Sequence, residues 1–143
     1  MNVFFDVDFT IIDADGALRP GVAECFAALR GGGHRIYLWS GLGPRWEVVS
    51  EHRLEAWVDD CFIKPLYHHR RMLDPLGISM EPHFVVDDHP HLVDIFGGCV
   101  VGPYRCVDAG DREMWRVLDA VSASETAGAK AGAGARPNPR GGS

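Results

Sequence analysis

The chain of 143 residues is 46% hydrophobic and 24% charged, which suits one globular domain with its own core and leaves little room for a second. A formal net charge of −6 argues against general nucleic-acid binding, which needs a basic surface to displace counterions from phosphates. No apolar run nears the ~20 residues that span a bilayer. The N-terminus opens on a strand-like run in place of a leader's basic, apolar and cleavage regions, so the expected compartment is cytoplasmic, with no membrane partner.

Val3 to Val7 reads as a first strand. Pro20 to Arg30 predicts a helix, with Val22, Cys25, Phe26 and Leu29 on one face and Gly31-Gly32-Gly33 closing it. Ile36 to Trp39 is a second strand, Pro44 to about Leu54 a weaker helix, and Cys61 to Ile63 a short third strand. A helix is predicted near Tyr67 to Leu76, with Met72, Leu73 and Leu76 on one side. His83 to Val86 makes a fourth strand, Leu92 to Phe96 a helical turn and Cys99 to Val101 a fifth strand. A last helix, about Asp111 to Val121, carries Met114, Val117, Leu118 and Val121 at helical spacing.

Strands alternating with helices imply a doubly wound parallel α/β sheet joined by right-handed crossovers. Residues 1–121 form the expected core. Residues 122–143, rich in Ala, Gly, Ser and Pro with almost nothing to bury, are expected to be a disordered tail. Cys25, Cys61, Cys99 and Cys106 form no CxxC pair, and at least three read as small buried hydrophobes.

In an open parallel sheet the ligand crevice lies beyond the carboxyl ends of the strands, so the residues that end each strand carry the functional argument. Strand one ends in Asp6, Asp8 and Thr10 within FFDVDFT, and strand two in Ser40 within LWSG. Strand three ends in Lys64 within FIKP, and strand four in Asp87 and Asp88 within VVDD. Each residue type has a task if the substrate is a phosphate ester. A carboxylate can attack phosphorus, and a lysine balances charge gathering on the phosphoryl oxygens. Ser40, helped by the backbone N–H groups of Gly41 and Leu42, donates to a phosphate oxygen. A second carboxylate moves protons. Two or three clustered carboxylates suit Mg²⁺, a hard ion that prefers oxygen.

These four endings, in this order over about residues 1–121, resemble the four motifs of the haloacid dehalogenase (HAD) superfamily. The resemblance implies a HAD-like Rossmannoid fold and a magnesium-dependent phosphatase. Asp6 would be nucleophile and metal ligand. Asp8 would be general acid/base, with its backbone carbonyl on the metal. Ser40, Gly41 and Lys64 would bind the phosphoryl group. Asp88 would ligate the metal directly, and Asp87 would steady Lys64 or a metal-bound water. P-type ATPases of the superfamily carry threonine where Asp8 stands, and dehalogenases lack an aspartate there, so Asp8 implies phosphatase or phosphomutase chemistry. One departure is Phe9, where many members carry glycine.

Neither the gap from Thr10 to Ser40 nor that from Lys64 to Asp87 holds a cap domain. The expected site is therefore open, unless a flap or an oligomer partner covers it. The missing cap counts against a phosphomutase, which must shield its intermediate from water. The alternative is a non-catalytic aspartate phospho-switch on a similar sheet. A receiver-type switch, however, places its acidic pair at the first strand and its phosphorylated aspartate at the third. Gly31-Gly32-Gly33 reads as a helix stop and Asp13 and Asp15 as turn formers, while His89 directly follows the acidic pair. The phosphorylated substrate itself, small molecule or macromolecule, is not specified by these motifs.

Overall fold

The apolar runs become strands because a parallel strand buried on both faces needs no polar alternation. In β1 (Asn2–Asp6), Val3, Phe4 and Phe5 are all fully buried. The other elements are α1 (Val22–Gly31), β2 (Arg35–Ser40), α2 (Trp46–Glu51), β3 (Val58–Ile63), α3 (His69–Met72), β4 (Phe84–Asp87), α4 (Pro90–Phe96), β5 (Gly98–Val100) and α5 (Glu113–Gly134). The structure, a computed structural model, describes residues 1–134.

The five strands form one all-parallel sheet in the order β3-β2-β1-β4-β5, a Rossmann-like α/β arrangement. The chain builds outward from β1 through β2 to β3, then crosses back to lay β4 on the other side of β1. The direction of winding reverses between β1 and β4, which is where such sheets open a ligand crevice. Phe5 pairs with Val86, so one step further along the two strands Asp6 and Asp87 end side by side.

The two faces of the sheet differ in chemistry. One is covered by α1 and α5, whose Val22, Phe26, Leu29, Met114 and Val117 pack on Val3, Phe5, Ile36 and Leu38. The other is aromatic: Phe4 lies 4.9 Å from Tyr37 and 4.6 Å from Trp39, under Leu73, Ile78 and Leu92. Among the described residues, the stretches 7–21 and 64–83 carry only isolated bridges and the single turn of α3, with no added domain. No described helix is long and apolar enough to cross a membrane.

Two expectations are corrected. The helix predicted near Tyr67 to Leu76 shrinks to the one turn His69–Met72. Pro75 has no N–H and disfavours helical backbone at Asp74, while Gly77 sits at φ 81. The last helix does not stop at Val121 but continues to Gly134, so residues 122–134 are not the coil that composition suggested. Helix extension is cheap once a packed turn has nucleated it, and alanine is the best helix former. Here Met114, Val117 and Val121 provide that nucleus, and Glu125 reaches the buried His34 ring at 2.5 Å. The part of the expected tail at 135–143 lies outside the described residues.

Candidate active site

Asp6 leaves the end of β1 with its side chain almost fully buried. The chain then turns tightly, the amides of Thr10 and Ile11 donating to the Val7 carbonyl at 3.2 and 3.0 Å. Phe9 occupies this turn with φ 64, a left-handed conformation that glycine adopts freely and an aromatic residue only under strain. Its backbone is held on both sides: its N–H donates to the Ile12 carbonyl and its carbonyl accepts from Tyr104, each at 2.8 Å.

Thr10 is fully buried and latches the two strand ends together. Its hydroxyl donates to Asp6 Oδ2 at 3.1 Å, while its oxygen accepts the Asp88 N–H at 3.1 Å. The Thr10 carbonyl is in turn held by Arg19, another buried side chain, at 3.1 Å. The Arg19 guanidinium forks onto Asp111 at 2.7 and 2.9 Å and donates to the Gly102 carbonyl at 2.7 Å.

Lys64 follows β3 and is anchored by its own N–H, which donates to the Ser40 carbonyl at 2.9 Å. Its ammonium bridges Asp6 Oδ1 at 3.0 Å and Asp87 Oδ2 at 3.2 Å. The other oxygen of Asp87 accepts the His89 N–H at 3.0 Å. Asp6, Asp87 and Asp88 each offer an oxygen within 4.8 Å of the others.

One ammonium does not offset this much buried anion. Burial, then repulsion from Asp87, pushes Asp6 up to about 7, with Lys64 pulling the other way. Burial also raises Asp87. Burial works against the charged form of Lys64, but Asp6 and Asp87 together outweigh it and hold the ammonium above its ordinary range. The shortage of positive charge and the all-oxygen donor set fit a hard divalent cation such as Mg²⁺, which Asp6, Asp87 and Asp88 could hold.

The Asp8 carboxylate stands outside this trio. It accepts from Arg45 Nη1 at 2.6 Å, and the same guanidinium reaches Glu47. Ser40 is buried, and its Oγ accepts the Leu42 N–H at 3.1 Å. That amide, expected to face a phosphate, is thus engaged within the loop, while the hydroxyl hydrogen of Ser40 stays available. Asp6, Asp8, Ser40, Gly41, Lys64 and Asp88 line one cleft of about 240 Å³, with Phe9, Leu42, Leu66 and His89 around it.

Sequence reasoning missed Arg45, Arg19 and the latching role of Thr10. A lone arginine in a polar loop carries no local signal, and the partners of Arg45 and Arg19 lie 37 and 92 positions away. The other candidates settle into local tasks. Asp13 accepts the amides of Asp15 and Ala17 at 2.9 Å, closing a turn, and Gly31–Gly33 terminates α1. Cys25, Cys61 and Cys99 are buried, and burial pushes the Cys25 thiol up to about 12, an inert form. No family model, curated protein or solved structure matches the chain.

Proposed function

We propose that the protein is a magnesium-dependent phosphomonoester hydrolase of the haloacid dehalogenase type, working through an aspartyl-phosphate on Asp6. The observation that carries this reading is the Lys64 ammonium held between Asp6 and Asp87 at the mouth of the winding reversal, with Asp88 in the same cluster. A buried carboxylate beside a fixed cation and an oxygen-only donor set is the equipment for bringing an anionic nucleophile to an anionic ester.

Asp6, Asp87 and Asp88 would hold Mg²⁺, which would supply positive charge to offset the repulsion between a carboxylate and a phosphate ester. The residues of the chain do the rest. Ser40 and Lys64 orient the phosphoryl oxygens. An oxygen of Asp6 bonds to phosphorus as the ester P–O bond breaks, and Asp8 delivers a proton to the departing alkoxide. In the second half, Asp8 takes a proton from water as that water attacks phosphorus, releasing inorganic phosphate and restoring the Asp6 carboxylate. Arg45 is the positioning residue for Asp8, since a 2.6 Å ion pair fixes the direction of its carboxylate.

Turnover of an aryl phosphate with Mg²⁺, and its loss in excess chelator, is the expected result. Undiminished hydrolysis in chelator would remove the proposal.

A further inference from the structure

Resting on the reading of the site as a phosphomonoester hydrolase, we infer that the leaving group of its substrate is an apolar, ring-sized alcohol. This group seats in the cleft beside the phosphate site, against Ile63, Tyr67, Met72 and Leu76.

The segment after β3 divides two clefts. On one side Lys64 faces Asp6 in the cleft already described. On the other, Lys64 and Leu66 also line a larger cleft of about 430 Å³, whose remaining walls are Ile63, Pro65, Tyr67, His68, Met72 and Leu76. A space of this size falls within the range of roughly 300–1,000 Å³ that holds small organic ligands. The two clefts adjoin at Lys64 and Leu66, with the phosphate assigned to one and the organic group to the other. Leu66 sits at the junction and leans toward the end of β2, its Cδ2 3.7 Å from where a side chain on Gly41 would begin.

The chemistry of the larger cleft selects among phosphate esters. Ile63, Leu66 and Tyr67 are exposed, Tyr67 by 75% of its surface, and Leu42 stands exposed across the phosphate cleft. Large apolar side chains left in solvent around one opening mark a binding surface. A sugar or nucleoside placed there would bring hydroxyls to walls that are mostly hydrocarbon, and each hydroxyl stripped of water without a partner opposes binding. An aromatic or alicyclic alcohol brings no such cost. His68, left-handed at φ 48, turns the chain sharply after Tyr67, and Met72 of α3 comes to line the same cleft.

The test is a series of monoesters of primary alcohols, which share nearly the same leaving-group basicity and so demand the same proton from Asp8. The full chain, with Mg²⁺, is assayed on ethyl, hexyl, 2-phenylethyl and 2-naphthylethyl phosphates, alongside glycerol phosphate and glucose 6-phosphate. The expected kcat/KM rises at least about tenfold from ethyl to naphthylethyl, the scale of discrimination a hydrophobic pocket achieves. The two polar esters stay at the level of ethyl phosphate. Tyr67→Ser flattens the rise, and so does Ile63→Thr at the exposed end of β3, which serves if the first variant does not fold. A flat series in an active enzyme, or a preference for the polar esters, overturns the inference and leaves the hydrolase reading standing. A flat series in a dimer that Tyr67→Ser dissociates makes the patch a self-interface and equally overturns it. Absence of magnesium-dependent turnover on every ester removes both.

Discussion

As the proposed nucleophile, Asp6 carries opposing demands. A nucleophile must be ionised, yet burial and the neighbouring Asp87 raise its carboxyl to about 7 in the absence of a metal ion, even with Lys64 beside it. In an unfolded chain an aspartate titrates near 4. The folded protein therefore binds the extra proton between those values. The stability this contributes is fully present below about pH 4 and drains away as pH rises through 7. The melting temperature of the metal-free protein is expected to fall between pH 5 and pH 8. Mg²⁺ should recover the loss, and recover more at pH 8 than at pH 5. Asp6→Asn removes the buried charge, so it should melt roughly 3–8 °C above the metal-free wild type at pH 8 while losing all turnover. Thermal melts across this pH range, with and without Mg²⁺, check it. A metal-free wild type that gains stability toward pH 8 would contradict the account.

At the scale of elements, the loop after β1 is held in shape by contacts from distant parts of the chain. Arg19 ties the Thr10 carbonyl to Asp111 just ahead of α5, and Thr10 ties Asp6 to Asp88. Arg19→Ala leaves Asp111 without its guanidinium partner and strips the Arg19 donors from two carbonyls, and is expected to cost about 3–5 kcal/mol. Arg19→Lys should restore only part, because an ammonium cannot fork onto both Asp111 oxygens while also reaching the carbonyls. Urea midpoints of the two variants measure this, and a loss below ~1 kcal/mol for alanine would show the network to be unimportant.

The elements also show what a sequence can disclose. The parallel strands were legible because each is a short apolar run ended by a polar residue. That rule also brought Asp6, Ser40, Lys64, Asp87 and Asp88 to attention. The Arg19 and Arg45 pairings were not legible, since they exist only once distant segments meet. The continuation of α5 escaped a reading by composition because Ala and Ser bury little. A helix already packed through Val121 needs little more to propagate.

For the molecule as a whole, the sheet order matters more than any one residue. Placing β4 on the far side of β1 from β2 brings Asp6 beside Asp87, and Lys64 arrives from β3 across the end of β2. The same open edge leaves the cluster beside exposed apolar side chains, with no added domain above it among the described residues. The central claim is that phosphorus becomes covalently attached to Asp6. Enzyme turning over an aryl phosphate with Mg²⁺ can be quenched within milliseconds and treated with borohydride, which reduces an acyl phosphate to the alcohol. Peptide mass spectrometry should then find homoserine at position 6 and aspartate unchanged at positions 8, 87 and 88. Reduction at Asp87 or Asp88, or turnover with no reducible adduct in wild type or in Asp8→Asn, which should accumulate it, would contradict the mechanism.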